Sequence, residues 1–233
     1  MAKGKTSSAP FHLGLILDGN RRWARANGKT TFYAHKLGYT KIKHTAELAI
    51  DKGVKFVSVF AFSTENWNRT KAEVSYLMDL ALWVATEEVD ELHEKNIRVL
   101  FLGSTQRLSS KMIKAIRAAE DKTKNNGKGT LCVCFNYGGH QEIVDAAKKI
   151  IASGVAADSL TSEVFAQQLY APEVPPIDLL IRTSGEQRLS NFMLWRAAYA
   201  ELYFVTKHWP EFKDEDLEAA FVEFSKRQRR HGR

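Results

Sequence analysis

Four clusters of polar, charged and glycine residues follow apolar runs in this sequence, each at the point where a run ends. They are residues 18–22 (DGNRR), 63–69 (STENWNR), 136–139 (NYGG) and 182–188 (RTSGEQR). In open parallel sheets, ligands bind beside the carboxyl ends of the strands. If the apolar runs are parallel strands, the four clusters meet at one edge of a sheet, and the pattern predicts a binding or catalytic site there.

Arginines from three separate segments supply the cations of this predicted site. Arg21 and Arg22 belong to the first cluster, Arg69 to the second, and Arg182 and Arg188 to the fourth. A guanidinium fork matches the paired oxygens of a phosphate. Any one of these arginines is consistent with solvated surface charge. Together, with few carboxylates beside them, they indicate a site for more than one phosphate group.

Asp18 is an acid among these cations, and two roles are open to it. It can hold a Mg²⁺ ion that bridges diphosphate oxygens, or it can cap the helix predicted over 21–27. The free N–H groups and the dipole at that helix N-terminus also favour an anion. The neighbouring arginines favour the metal-ligand role over the cap.

The elements that must position these residues alternate between strand and helix patterns. Apolar runs predict strands over 13–17, 56–62, 97–102, 131–135 and 178–181. Periodic patterns predict helices over 39–52, 71–96, 109–124, 141–152, 161–169 and 214–230. Strands this apolar are typically covered on both faces. The alternation predicts a single α/β domain over 1–233, with a mainly parallel central sheet flanked by helices and a flexible leader at 1–10.

The helix predicted over 71–96 is unusually long and unusually apolar. Val74, Leu77, Leu80 and Val84 are among the residues that leave little of its first half polar. Because a helix normally buries one apolar stripe, two arrangements are open. The helix is packed on several sides at the centre of the fold, or it has one face on the sheet and another lining an apolar cavity.

Composition excludes several classes of protein. Of the 233 residues, 44% are hydrophobic and 26% charged, and no apolar run approaches the ~18–20 residues that cross a bilayer. Disordered, fibrous and membrane-spanning proteins are therefore excluded, and we expect a cytoplasmic protein. The net charge of +7 favours an anionic partner: nucleic acid, anionic lipid or a phosphorylated small molecule. Cys132 and Cys134 share one face of a predicted strand, which indicates two reduced core thiols.

Longer motifs around these clusters resemble a known family. Residues 12–24 (HLGLILDGNRRWA), 60–69 (FAFSTENWNR), 136–139 (NYGG) and 178–204 (DLLIRTSGEQRLSNFMLWRAAYAELYF) are together similar to the cis-prenyltransferases, the family of undecaprenyl diphosphate synthase. The resemblance covers nearly the whole chain in matching order. It implies head-to-tail condensation of isopentenyl diphosphate onto an allylic diphosphate such as farnesyl diphosphate, with each new double bond cis.

The resemblance assigns roles to individual residues. Asp18 falls on the essential acid that binds Mg²⁺ and the diphosphate, and Asn66 on the position of proton removal. The positions that contact the allylic diphosphate are Gly19, Asn20, Arg21, Arg22, Trp23 and His35. A mobile loop that closes the site contains Ser63, Thr64, Glu65, Trp67 and Arg69. The positions that hold isopentenyl diphosphate are Arg182, Arg188, Leu189 and Ser190, and a second Mg²⁺ ligand is Glu201.

Product and partners follow from the same resemblance. The implied product is a Z-polyprenyl diphosphate, a lipid carrier of ten or eleven isoprene units, with a short-chain synthase of the same family as the alternative. An apolar tunnel sets its length, and Ala61 is the expected gate to that tunnel. The resemblance also implies Mg²⁺ and a homodimer, in which residues 230–232 (RHG) reach the partner subunit's site. We expect no nucleic acid, and a transient peripheral contact with the inner membrane face for product release.

Some positions depart from the family pattern, and two rival functions stay open. Thr31, Ala34, His140 and Gln187 stand where the family often carries arginine, glycine, arginine and histidine, and Thr31 removes one diphosphate contact. One rival is a non-catalytic partner subunit, which would have no need of the intact acidic, amide and arginine positions. The other is an RNA-binding protein that uses the basic C-terminal residues, but the arginines gather at strand ends instead of spreading along one face.

Overall fold

The computed structural model describes residues 9–227. Most of the leader predicted over 1–10 and the predicted 230–232 motif lie outside these described residues, whereas Pro10 is buried. The described strands are β1 His12–Ile16, β2 Phe56–Ser63, β3 Ile97–Leu102, β4 Gly129–Tyr137, β5 Leu179–Arg182 and β6 Glu201–Phe204. They form one sheet in the order β3-β4-β2-β1-β5-β6. Every neighbouring pair is parallel, as the alternating pattern predicts.

Helices connect the parallel strands except β5 and β6, which are joined by turns. The described helices are α1 Asn20–Ala26, α2 Thr31–Asp51, α3 Lys71–Trp83, α4 Val89–Glu94, α5 Ser110–Thr123, α6 Gly139–Ser153, α7 Ser162–Ala166 and α8 Asp214–Lys226. Short 3₁₀ turns cover Thr64–Asn68, Ala157–Ser159 and Trp209–Glu211. No helix within residues 9–227 is both long enough and apolar enough to span a membrane.

Two elements differ from the sequence predictions. Strand β6 was not predicted, because it has only four residues and all of them are half-buried, so it lacks the apolar run of a central strand. Helix α2 begins at Thr31 instead of residue 39, since the Thr30 hydroxyl accepts the Tyr33 N–H and so caps two further turns.

The long helix predicted over 71–96 is interrupted. Between α3 and α4 lies a π-helical turn, Val84–Glu88. Such a turn takes in one more residue than an α-helical turn, which allows Val84, Ala85 and Val89 all to line the same internal cavity. Of the 13 residues of α3, only Glu73 is buried. The interpretation of this segment as a central helix packed on several sides is therefore wrong, and it lines a cavity instead.

Both faces of the sheet are covered. One core cluster contains Leu15, Val57 and Leu131 from the sheet, packed against residues of α2, α5 and α8. The cluster on the opposite face contains Cys132 and Cys134, packed with residues from the segment 174–197. The two cysteines are free and buried, as predicted.

Candidate active site

The four predicted clusters meet at the carboxyl edge of the sheet. Arg182, at the end of β5, donates to Asp18 beyond the end of β1. Trp67, beyond the end of β2, donates through Nε1 to Asn136 Oδ1 on β4 at 2.7 Å. Parallel strands bring their carboxyl ends to one edge, so residues 164 and 69 positions apart in sequence become neighbours.

Asp18 lies between two arginines. Its Oδ2 accepts a hydrogen bond from Arg182 Nη2 at 2.9 Å, and its Oδ1 lies 3.3 Å from Arg22 Nη2. Burial alone would raise the pKa of Asp18, but the hydrogen bond and charge of Arg182, with the charge of Arg22, outweigh burial and lower it. Asp18 is therefore ionised at neutral pH.

The role of Asp18 as a helix cap is excluded by the geometry of α1. The N-cap residue is Gly19, and no side chain caps this helix. Gly19 has a φ of 107°, and a Cβ there would lie 2.7 Å from both His208 Nδ1 and Ser184 Oγ. Only glycine fits this turn without displacing those neighbours. The turn leaves the Asp18 carboxylate facing the arginines.

Arg182 organises the segment predicted to hold isopentenyl diphosphate. Its side chain is only 4% exposed, and Nη1 donates to Ser190 Oγ at 2.8 Å and to the Arg188 carbonyl. The exposed Arg188 side chain pairs with Glu186 at 2.6 Å, while Leu189 packs against the apolar core. Glu186 also pairs with Arg22 at 2.7 Å, and so it links the two arginine groups.

A buried glutamate that the sequence analysis missed collects the remaining cations. Glu73 Oε1 accepts from Arg69 Nη1 at 2.8 Å and lies 3.4 Å from His35 Nε2, and Glu73 Oε2 lies 4.0 Å from Arg21 Nη1. Burial and the charge of Arg69 lower the pKa of His35, so His35 is neutral at pH 7. The available signal for Glu73 was its position four residues after Arg69, in the first turn of a helix.

The 3₁₀ turn after β2 carries the residues of the predicted loop. Asn66 Oδ1 accepts the Ser63 N–H at 3.1 Å, and Glu65 accepts from Asn191 at 2.9 Å. Thr64 packs beside Gly138, where a Cβ would approach its hydroxyl to 2.6 Å. The turn is thus held against the NYGG segment of β4 and against the chain that follows β5.

Trp67 is held by a cation that sequence analysis did not single out. Its indole packs edge-on against Phe62 at 5.2 Å, and the guanidinium carbon of Arg107 lies 4.3 Å from the ring centroid. Asn136 joins the same group by donating to the carbonyls of Ser104 and Gln106. Arg107 comes from the loop between β3 and α5, which no motif in the sequence distinguishes.

A polar pocket and an apolar cavity adjoin at this edge of the sheet. The pocket, of about 740 Å³, is lined by Leu17, Asp18, Gly19, Asn20, Arg21, Arg22, Arg25, His35 and Arg69. The cavity, of about 1190 Å³ including its open mouth, extends between α2, α3 and the sheet. Leu17, Asn20, His35 and Arg69 line both spaces. Asn66 and Ala61 line the cavity.

Within this chain the structure does not bring Glu201 to Asp18, and the assignment of Glu201 as a second Mg²⁺ ligand stays a prediction. Glu201 begins β6 opposite Leu179, whereas Phe204 lies opposite Arg182. Three residues of a strand span ~10 Å, so Glu201 lies toward the amino edge of the sheet. Its carboxylate instead accepts from Arg227 at 2.9 Å.

Asp18, at the carboxyl edge, fits a metal ion whose other ligands come mainly from the substrate. Within residues 9–227 no group of three or more histidine, cysteine, aspartate or glutamate side chains could hold a metal ion. Mg²⁺ commonly uses one or two carboxylates and completes its coordination with phosphate oxygens and water. The ionised Asp18, in a pocket lined by arginines that suit phosphate, matches that donor set.

Comparisons with known proteins show the family to which this chain is related. A family model described as putative undecaprenyl diphosphate synthase matches residues 16–232. An isoprenyl transferase of Thermotoga maritima is 44% identical, over 96% of this chain and 97% of the relative. The farnesyl-diphosphate-specific ditrans,polycis-undecaprenyl-diphosphate synthase of Escherichia coli K12 is 40% identical, over 95% of this chain and 89% of the relative.

Solved structures are similar over nearly the whole chain. Lavandulyl diphosphate synthase from Lavandula x intermedia, in complex with dimethylallyl diphosphate, has a TM-score of 0.93 and 35% identity, covering 97% of this chain and 99% of that chain. A probable undecaprenyl diphosphate synthase from Campylobacter jejuni has a TM-score of 0.82 and 30% identity, covering 96% and 99%.

Proposed function

The chain belongs to the undecaprenyl diphosphate synthase family, the cis-prenyltransferases, and from that premise we propose that it condenses isopentenyl diphosphate onto an allylic diphosphate, farnesyl diphosphate in the first instance. It is a prenyltransferase that makes a Z-polyprenyl diphosphate. One observation carries the proposal: the arginine-lined pocket around Asp18 opens directly into an apolar cavity. A diphosphate joined to a hydrocarbon chain has the same division into a charged head and an apolar tail.

The polar pocket supports departure of the allylic diphosphate. As the bond between the allylic carbon and the diphosphate oxygen breaks, negative charge grows on the leaving group. Arg21, Arg22 and Arg69 lie around the space that this group would occupy, and fixed cations stabilise such charge. Asp18 would hold Mg²⁺ against the diphosphate, and the bound ion would neutralise further charge on the leaving oxygens.

The incoming substrate is assigned to the neighbouring segment. Arg188 and Ser190 are exposed beside Arg182 and are proposed to bind the diphosphate of isopentenyl diphosphate. The new carbon–carbon bond joins its terminal alkene carbon C4 to the allylic carbon as the allylic carbon–oxygen bond breaks. The cationic character moves to C3, and a proton then leaves the C2 methylene to form the new C2–C3 double bond. Asn66 lines the cavity, and its Oδ1, which accepts one N–H from Ser63, retains a second lone pair toward which that proton can be directed.

The apolar cavity is proposed as the tunnel for the growing chain. It is walled by side chains such as Val59, Leu77, Ala81 and Val133, and it keeps water from the cationic carbon that develops during transfer. A chain that fills it stops growing, which gives a product of about ten or eleven isoprene units or fewer. We also propose a homodimer and release of the product at a membrane.

Asp18→Ala tests the proposal directly. Purified protein with Mg²⁺, farnesyl diphosphate and radiolabelled isopentenyl diphosphate should give longer cis products, separated by chromatography. The variant should lose at least about a hundredfold in turnover, because it loses both the metal contact and the partner of Arg182. A chelator should stop the wild-type protein, and added Mg²⁺ should restore it. Full turnover by the Asp18→Ala protein would contradict the assigned role.

A further inference from the structure

Helices α2 and α3 form the wall that separates the apolar cavity from the outside. Tyr39 and Ile42 of α2 and Leu77 and Ala81 of α3 line the cavity from this side. Although α3 is rich in apolar residues, only Glu73 is buried among its 13 residues. Its exposed positions, which include Ser75, Asp79 and Trp83, form an outer face that the rest of the described chain does not cover.

Aromatic side chains close the junction between the two helices. The rings of Phe32 and Tyr76 are 4.4 Å apart, and those of Tyr39 and Trp83 are 5.6 Å apart. Within each helix the two aromatic residues are seven positions apart, which places them on one face, two turns apart. These four rings, together with the neighbouring Tyr33, form an aromatic seam, in which Phe32, Tyr33 and Trp83 are exposed and Tyr39 also lines the cavity.

The aromatic seam is exposed to an extent that requires explanation. Phe32 is 42% exposed, Tyr33 53% and Trp83 37%. Soluble proteins rarely leave several large apolar side chains together at the surface unless that surface binds something. Aromatic rings of this kind are enriched where proteins meet the headgroup region of a bilayer.

Cations flank the aromatic seam. Arg25 is exposed on α1, Lys29 on the turn between α1 and α2, and Lys36 on α2. The Lys29 ammonium lies 5.8 Å from the Tyr33 ring centroid. From residue 19 to residue 46 the sequence contains no aspartate or glutamate. The exposed acids nearest the seam in sequence are Asp79 on α3 and Glu87 on the π-helical turn that follows it. The α2 side of the seam is therefore strongly positive.

We propose that the aromatic seam and its flanking cations dock the protein on an anionic lipid bilayer. Phe32, Tyr33 and Trp83 enter the headgroup region, and Lys29 and Lys36 contact anionic headgroups. The proposal rests on the proposed function for its purpose: docking here turns the wall of the product cavity toward the lipid that receives the apolar product. A second copy of this chain fits the aromatic seam less well than a bilayer does, because a two-fold interface would place the same cations opposite each other.

Flotation with lipid vesicles tests this surface without substrate. Wild-type protein should float with vesicles containing phosphatidylglycerol, bind vesicles of pure phosphatidylcholine more weakly, and lose affinity as salt is raised. Trp83→Ser combined with Phe32→Ser, and separately Lys29→Glu combined with Lys36→Glu, should each weaken binding about tenfold or more. Val222→Ser is the matched control, since Val222 is 53% exposed on α8, and its binding should be unchanged.

Two results would overturn the proposal. The first is that the seam variants bind vesicles as well as the wild-type protein does. The second is that the seam variants sediment with a lower molecular mass than the wild-type protein, which would assign the aromatic seam to contact with a second copy of the chain. Turnover in detergent solution is measured on the same preparations. Retained turnover with lost flotation supports the docking surface. Absent turnover in the wild-type protein contradicts the proposed function alone, because the flotation result does not depend on catalysis.

Discussion

At the scale of single residues, the carboxyl edge of the sheet is organised by acids that hold arginines in place. Asp18 fixes Arg182, Glu186 joins Arg22 to Arg188, and Glu73 holds Arg69. An arginine that is already oriented loses less side-chain entropy when it binds a phosphate. These acids therefore prepare the cations for an anionic ligand instead of only neutralising them.

The role of Glu73 as a positioning residue is testable with a double-mutant cycle. Glu73→Ala should lower kcat/KM about tenfold, because Arg69 loses the 2.8 Å contact that fixes its guanidinium. In the Arg69→Ala background the same change should cost little, since the group it positions is gone. Steady-state kinetics with farnesyl diphosphate measure both. Glu73→Gln, which keeps one oxygen acceptor, should recover part of the loss. Fully additive losses would show that Glu73 acts independently of Arg69.

At the scale of elements, two irregularities shape the apolar cavity. The π-helical turn Val84–Glu88 joins α3 to α4, and residues from all three of these segments line the cavity. In β2, Phe60 lies opposite Cys134 and Phe62 opposite Phe135, so Ala61 is the extra residue of a β-bulge. A bulge re-aims its side chains, and Ala61 faces the cavity as a result.

Ala61→Leu should shorten the products. The larger side chain projects from the bulge into the cavity and narrows the path of the growing chain, while the polar pocket is unchanged. Product chromatography should show accumulation of chains several isoprene units shorter than those of the wild type. Ala61→Ser, which keeps the size of the side chain, is the control and should leave the distribution in place. An unchanged distribution for the leucine variant would contradict the role of Ala61 as gate.

The buried contacts of His12 predict that the free energy of unfolding depends on pH. His12 lies in β1, where its ring contacts Ser58 Oγ at 2.7 Å and the Pro175 carbonyl at 2.8 Å. Burial lowers the pKa of His12 from 6.5 to about 4. The folded state thus favours the neutral ring. The stabilisation that the neutral His12 ring provides is fully present above pH 6.5 and is lost as the pH falls toward 4. Protonation of His12 therefore lowers the free energy of unfolding by at most about 3 kcal/mol.

Chemical denaturation at a series of pH values measures this effect. His12→Gln keeps hydrogen-bonding groups but does not titrate. The variant should be less stable overall, yet its free energy of unfolding should fall less than that of wild type between pH 6.5 and 4. Parallel profiles for the two proteins would exclude His12 as the titrating group.

At the scale of the whole molecule, the sheet order places the site at its centre. Strands β2, β1, β4 and β5, whose carboxyl ends carry the four clusters, are adjacent in the order β4-β2-β1-β5, with β3 and β6 outside them. The amino-terminal ends carry packing contacts such as those of His12 and Glu201. The polar clusters of the candidate site therefore lie at the carboxyl edge of the sheet, whereas the opposite edge carries packing contacts.

Burial of both cysteines gives a test of the intact core. Cys132 and Cys134 are fully buried in the cluster between the sheet and the segment 174–197, and burial raises the pKa of Cys132 to about 12. Neither should react with a thiol reagent in native buffer, and both should react once denaturant unfolds the chain. Colorimetric thiol titration counts them. Rapid labelling of the native protein would indicate that this face of the core opens.

Sequence patterns were enough to predict the α/β class, the parallel sheet and the meeting at one sheet edge of the segments that contain Asp18, Asn66, Arg69 and Arg182. These follow from local patterns: apolar runs, turn residues and motifs at the ends of strands. Strand β6 escaped prediction because a short half-buried edge strand has no distinctive pattern.

The contacts that hold the cations and the elements that wall the cavity follow from the folded chain alone. The contacts of Glu73 with His35 and Arg21, the cation of Arg107 on Trp67 and the separation of Glu201 from Asp18 join residues from different elements. Their distances depend on how helices pack across the sheet, and side-chain packing of that kind leaves no periodic signal along the chain.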